Sequence, residues 1–460
     1  MSTSSGVVWF RRDLRLSDNP AWAAATSTHA RVTALYVLDD RLLATAGPAR
    51  RTQLFAELHA LDATLRDHGG RLLVRHGDPA VLVPEVAGAV GAQRVHWNAD
   101  VTPASQRRDA AVRRALDDLP VEPDTWWGHL VLPPGSIRTN EGRVPRVFGA
   151  FHRRWAATAW PEWPEPEDAS IADDPGDGLP ALDGDPPRAP GEDAAQESLA
   201  RFVDSEVESY PEGRDEVWRQ ATSGLSVALR FGTVSPRQVV EAAGTGTAAR
   251  DAFTRQLAWR DWYAHLLFDR PDMVRAAVRP EYDRIEWRDD PEGLEAWKDG
   301  RTGFPLVDAG MRELAATGAM HNRVRMVTAS FLVKDLLVDW REGERHFRRL
   351  LVDADVPQNV GNWQWVAGTG PDAAPFFRVF NPVTQSRQHD PNGEYLRRWV
   401  PELAPLDDRT IHAPWEAGPL EVAAAGVELG RDYPLPIVDH AEARRRAIAA
   451  YDAARDGARS

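Results

Sequence analysis

VVWFRRDLRLSDNPAW, from Val7 to Trp22, is the stretch that decides the fold class. Its first four residues are apolar without alternation, the mark of a strand covered on both faces, as in a parallel sheet. Neither a GxGxxG fingerprint nor a GxxxxGK(S/T) phosphate loop follows. The strand runs instead into RRDLRLSDNPAW, so a conventional dinucleotide site is not expected here. Working outward, comparable apolar runs recur at 32–38 (VTALYVL), 71–77 (RLLVRHG) and 94–98 (RVHWN), with helical patterns such as Thr52 to His68 between them. Strand and helix in alternation make βαβ units, hence an α/β, doubly wound parallel-sheet N-terminal domain.

The pattern changes at Trp160–Glu197, which is rich in Pro, Gly, Asp and Glu and has no periodic apolar positions. It reads as a long linker or a loop held against the surface. Beyond about Ser198, apolar residues recur at spacings of three and four, as in FTRQLAWRDWYAHLLF and VRMVTASFLVKDLLVDW, so the C-terminal domain is all-α. The expected division is an α/β domain over 1–130, a connecting segment over 131–197 and a helical domain over 198–460.

At 460 residues and 43% hydrophobic, the chain has length for two or three domains with a large buried core. It contains no cysteine, which removes disulfides, cysteine zinc sites and thiol catalysis and suits a reducing interior. The N-terminus lacks a signal h-region and nowhere do eighteen apolar residues run together, so the expectation is a cytoplasmic protein without membrane contact. A net charge of −14 means that any contact with nucleic acid must use locally concentrated positive charge.

Such a concentration exists. Between Arg312 and Arg349 there are eight Lys and Arg against five Asp and Glu, a local balance of +3. WREGERHFRR within it reads as a solvated amphipathic helix with i,i+4 pairs. Arg323 and Arg325 are placed on different sides of a helix, so that one reaches a buried anion and the other an exterior phosphate. Asp353 and Asp355 follow, a carboxylate pair without a third acidic or histidine ligand, so no metal is supported and a place in a cofactor pocket serves them better. Thr222, Ser223 and Ser226 in ATSGLS either cap a helix or bind a phosphate. VPQNVGNWQWVAGTG, Val356 to Gly370, sets Trp363 and Trp365 in a composition that reads as loop, short of the apolar neighbours a core tryptophan packs against.

VWFRRDLRLSDNPAW, TSGLS, QLAWRDWY, MHNRVRMVTASFLVKDLLVDWREGERHF and DADVPQNVGNWQWVAGTGPDAAPFFRVFNPVTQ, followed by YLRRWVPEL, resemble the signature blocks of the DNA photolyase and cryptochrome family. The likeness is greatest to its class I cyclobutane pyrimidine dimer photolyases and spans nearly the whole chain. It implies an antenna domain, a long connecting loop, and a helical domain that holds a U-shaped FAD without a dinucleotide glycine motif. Tyr210, Thr222, Ser223, Leu225 and Ser226 fall where the family holds the FAD phosphates and ribityl chain. Arg260, Asn322, Arg325, Asp335, Asp353 and Asp355 fall where it surrounds the isoalloxazine and adenine, and Asn359 falls opposite flavin N5, where photolyases usually have Asn. The implied activity is light-driven repair, in which excited FADH⁻ gives an electron to a flipped-out cyclobutane pyrimidine dimer in DNA. Trp259, Trp365 and Met326 match the residues packed on the dimer. Arg214, Arg323 and Arg378 match phosphate contacts, and Trp363, Trp340 and Trp287 match the relay that reduces an oxidised flavin.

There are departures from the family pattern. Gln256 stands where cyclobutane-dimer enzymes usually carry a glutamate; it donates a hydrogen bond but supplies no proton. Gly224 replaces the usual Arg of TSRLS, and Ala319 the usual Trp before MHN. Ala104 and Ser105 replace an Asn-Glu pair that contacts methenyltetrahydrofolate, whereas Arg50 and Asp100 sit where deazaflavin-type enzymes hold their chromophore. The expected antenna is therefore 8-hydroxydeazaflavin, with methenyltetrahydrofolate or none as alternatives, in a monomer. The rival functions are a cryptochrome-like blue-light photoreceptor and a (6-4) photolyase.

Overall fold

The computed structural model describes residues 4–457 other than 220, 374, 376 and 377. It forms two compact units, one running to Glu208 and resuming over Ser223–Pro271, the other joining Ser209–Thr222 to the chain from Asp272 on. These units cut the chain differently from the 1–130, 131–197 and 198–460 division expected from composition. Buried polar ties are the reason, and they leave no compositional trace. Arg15, fully buried, donates to the Gly128 carbonyl (2.7 Å) and the Gly232 carbonyl (2.9 Å). Asp261, also fully buried, accepts from Val131 N (3.3 Å), Leu132 N (3.0 Å) and Trp155 Nε1 (2.9 Å).

In the first unit, strands β1 (Ser5–Phe10), β2 (Arg31–Leu38), β3 (Leu72–His76), β4 (Arg94–Asn98) and β5 (Glu122–Trp126) form a parallel sheet in the order β3-β2-β1-β4-β5. Helices α1 (Pro20–Thr28), α2 (Pro48–Asp67), α3 (Pro79–Ala89) and α4 (Pro103–Leu116) make the crossovers, each with proline in its first turn, where a missing N–H costs nothing. Val7, Trp9, Leu35, Val37, Leu73, Val83, Val95, Trp97 and Val112 build one core cluster. This is the doubly wound sheet read from the apolar runs. The unexpected strand is β5, EPDTW, an edge strand whose Pro123 and outward polar residues hide it from a hydrophobicity scan.

The acidic segment is held against the surface rather than free. β6 (Ser170–Ile171) pairs in parallel with Arg31 and Val32 of β2, and Gly176 bridges to Val74. Glu192 to Glu197, expected in the linker, already lie in helix α6 (Glu192–Ser205), which follows α5 (Phe148–Ala157) and buries Ala195, Leu199 and Phe202 at helical spacing. Helix α7 (Ala248–Asp269) completes the unit.

The second unit is helical, with α8 (Asn322–Ser330) leading into a π-helical turn over Phe331–Asp335, then α9 (Trp340–Leu350), α10 (Val356–Ala367) and α11 (His440–Asp456). α10 corrects the loop expected over Val356 to Gly370. Its breakers stand at the ends: Asp355 is the N-cap, Pro357 lies in the first turn, and Gly368 at φ +80° closes the helix by donating to the Gln364 and Trp365 carbonyls. The Asn and Gln between them are tolerated because neighbouring elements supply the packing.

Candidate cofactor and nucleic-acid site

α10 sorts its residues by helical phase. Asn359 and Trp363, four apart, share a face, whereas Trp365 lies two residues on and about 200° round the axis. Trp363 is 2% exposed and packs against Phe347 (ring centroids 5.0 Å) and Trp297 (6.2 Å), so the apolar neighbours its own stretch lacks come from α9 and from Trp297. Gly343 of α9 is required here, since a Cβ would stand 2.1 Å from the Trp363 ring. Trp365 is half-buried. Asn359 Nδ2 donates to the Glu344 carbonyl and to Glu344 Oε1, both at 2.9 Å, which engages both amide hydrogens and leaves Oδ1 as the acceptor. Burial pushes the Glu344 carboxyl above its ordinary range, against the pull of Arg348 and Asn359.

α8 presents the basic groups. Arg325 donates through Nε to the Met320 carbonyl (2.8 Å) and through Nη2 to Asp353 Oδ2 (2.9 Å), a largely buried pair. Arg323 turns to the other side and meets Asp215 at 2.8 Å. Asn322 is exposed at the first position of α8, one turn before the half-buried Met326. Asp355 is buried, and so is Tyr210, whose phenol burial pushes up. Arg214, Arg378 and Thr222 are exposed. Trp340 is buried beneath the Arg341 guanidinium (4.8 Å), and the half-buried Trp287 meets the Tyr451 ring edge-on at 6.3 Å.

Asp335 is fully buried at the end of the π-helical turn. There its Oδ1 meets His440 Nδ1 (2.5 Å) and its carbonyl accepts from Arg446 (2.5 Å), so its neighbours belong to α11.

In the first unit, Trp259 stacks on Phe148 with ring centroids 3.8 Å apart and planes 13° off parallel, and it stays half-buried. Gln256, one turn earlier in α7 and also half-buried, donates to the Ala252 carbonyl (3.1 Å). Arg260 is buried and donates to the His129 and Leu229 carbonyls. Ser223 Oγ accepts from Leu225 N (3.4 Å), Leu225 is buried and Ser226 is exposed. Gly224 sits at φ +66°, a conformation that the usual Arg would adopt only with strain. At the carboxyl end of β4, Asp100 is ringed by Arg12 (3.5 Å) and His129 (4.0 Å). Burial alone would raise its carboxyl, but Arg12, His129, Arg11 and Arg108 outweigh that and hold it well below the usual carboxylate range. Ser105 donates to Asp100 in the first turn of α4, and the buried Arg50 opens α2 and donates to the Thr45 carbonyl.

Residues 6–167 match the family model for DNA photolyase, and residues 253–453 that for the FAD binding domain of DNA photolyase. The deoxyribodipyrimidine photo-lyase of Streptomyces griseus is 44% identical over 96% of this chain and 98% of its own. The chain belongs to the DNA photolyase family. Two solved structures superpose on it: a bacterial class III photolyase from Agrobacterium tumefaciens (TM-score 0.91, 39% identity, 99% of this chain and 98% of that one) and the Synechocystis cryptochrome (TM-score 0.89, 30% identity, 98% and 100%). The class I likeness drawn from the motifs thus stands beside a structural likeness to class III.

Within the photolyase motifs, reading by residue type missed several partners. Phe148, the stacking partner of Trp259, lies more than a hundred residues away. Glu344 was absorbed into a solvated helix face, although its place four residues before Arg348 and one turn from Trp340 carries no hint of Asn359. Gln364 is fully buried between the two tryptophans, where it donates to the Met273 and Ala276 carbonyls and accepts from Val278 N. A lone glutamine flanked by tryptophans was the signal available for it. No helix among the described residues is long and apolar enough to cross a membrane.

Proposed function

We propose that this member of the photolyase family repairs cyclobutane pyrimidine dimers in DNA with light. The observation that carries the reading is α10, where the buried Asn359 and Trp363 share one face and the more open Trp365 takes another. FAD fits the residues present: a cationic Arg325 braced by Asp353, a buried Asp355, and an Asn359 amide whose hydrogens are both engaged, so that it offers an oxygen to a flavin N–H. Bound FAD, reduced and excited by light, supplies the electron that opens the dimer.

The chain supplies the rest. Tyr210, Thr222, Ser223, Leu225 and Ser226 hold the phosphates and ribityl chain, and Asn322, Arg325, Asp353 and Asp355 hold the rings, with Arg260 bracing the first unit. Trp259, Trp365 and Met326 give the flipped dimer apolar faces in place of its stacked neighbours. Gln256 hydrogen-bonds the dimer without delivering a proton. Arg214, Arg323 and Arg378 contact phosphates, which fixes register without reading sequence. Trp287, Trp340 and Trp363 pass electrons inward, consistent with one half-buried and two buried rings. Asn359 favours repair over photoreception, and HNRVRM, where (6-4) photolyases have a His-rich sequence, favours cyclobutane-dimer chemistry. For the antenna we favour 8-hydroxydeazaflavin near Arg50 and Asp100, at the carboxyl ends of the strands where doubly wound sheets bind ligands. The cysteine-free sequence supports a cytoplasmic location.

The test is illumination of the reduced protein with dimer-containing single-stranded DNA. Recovery of thymine absorbance is expected. Flavin-loaded protein that leaves the dimers intact contradicts repair.

A further inference from the structure

Arg323, read above as a phosphate contact, is already engaged. Its Nε (3.3 Å) and Nη2 (2.8 Å) both donate to Asp215 Oδ1, and the two side chains are 19% and 39% exposed, so solvent and an incoming phosphate reach the pair. Asp215 follows the exposed Arg214, whose guanidinium lies over the Tyr210 ring (5.9 Å), so the arginine this carboxylate holds is Arg323. His321 and His389 also face the pair. Burial lowers both and Arg323 adds to this, while the Asp215 carboxylate pulls the other way. The Asp215 carboxylate is what balances Arg323.

A phosphate that binds Arg323 must therefore compete with an anion already in place, which occupies Nε and Nη2. A complex anchored by a lesion holds its phosphates long enough and close enough to do so. A complex with undamaged DNA, held by backbone charge alone, does not. We propose that Asp215 is a specificity-determining residue, an internal competitor that withholds Arg323 from undamaged DNA and releases it to a docked lesion. The proposal rests on Arg323 as a phosphate contact and assigns Asp215 no contact with the dimer or the cofactor. A half-exposed ion pair contributes little to stability, so the variants that remove it are expected to fold.

The experiment measures binding of undamaged and dimer-containing single-stranded DNA in the dark, over a range of salt, for wild type, Asp215→Asn, Arg323→Ala and the double variant. Flavin absorbance reports that each is folded. Asp215→Asn is expected to bind undamaged DNA about tenfold tighter, with a log–log salt slope steeper by about 0.7, the increment for one more phosphate on a single strand. Dimer-containing DNA gains less, so discrimination falls. Arg323→Ala is expected to weaken dimer binding, and in the double variant the gain disappears. Unchanged or weaker binding by Asp215→Asn overturns the proposal, as does a gain that survives Arg323→Ala. An Arg323→Ala variant that binds both DNAs like wild type overturns the phosphate reading itself, and the proposal with it.

Discussion

Two helices carry paired tryptophans and use them in opposite ways. In α7, Trp259 and Trp262 are three residues apart, fall on one side, and meet edge-on at 5.1 Å, with Phe148 against both. In α10, Trp363 and Trp365 are two apart and point to different sides, one buried in the core and one half-buried. Spacing alone decides whether two costly rings make one cluster or two independent devices. The α7 pair stiffens a single stacking platform, whereas under the proposed function the α10 pair lets one helix serve an electron route on one side and a base on the other.

That contrast can be broken from either end. Trp363→Ala is expected to have the largest effect, a loss of about 3–5 kcal/mol in chemical denaturation, because it empties a core site lined by Phe347 and Trp297. Gly343→Ala acts on the same ring from across the gap, where the new Cβ overlaps Trp363, and is expected to cost about 1–3 kcal/mol. Trp365→Ala sharpens the comparison, since little stability is expected to be lost while dimer-DNA binding falls by about 1–3 kcal/mol, the value of a base–aromatic stack. Glu344→Gln keeps an acceptor for Asn359 while removing the titration. A carboxyl raised in the folded state favours the fold below its unfolded value of 4.5 and loses that advantage as pH rises through the folded value. The variant is therefore expected to gain on wild type in denaturation midpoints measured upward from pH 4.5. Gln256→Glu is the smallest change expected in binding, and repair yield per absorbed photon is the quantity that reports whether a proton donor there improves splitting.

Much of the sheet unit is legible in sequence because four of its strands carry buried apolar runs, while β5 escapes as a polar edge. The ends of α10 are written in Asp355, Pro357 and Gly368, yet its interior reads as loop because the acceptors for the buried Asn359 and Gln364 amides lie outside the stretch. Glu344, Met273 and Ala276 supply them from elsewhere. The arginines at 323 and 325 are legible as facing different ways, but not that Asp215 awaits one and Asp353 the other. The motif QLAWRDWY shows the limit most plainly. Its charged pair, Arg260 and Asp261, ties backbone inside the first unit, which only the folded chain reveals.

The division of labour along α10 is tested most directly by the dimer-DNA affinity of Trp365→Ala, measured on protein whose flavin photoreduction is followed in the same sample. The expected result is binding weakened by about fivefold or more, as a loss of about 1–3 kcal/mol requires, with photoreduction at the wild-type rate. Photoreduction lost along with binding, or binding unchanged, would contradict two separate roles for the two rings.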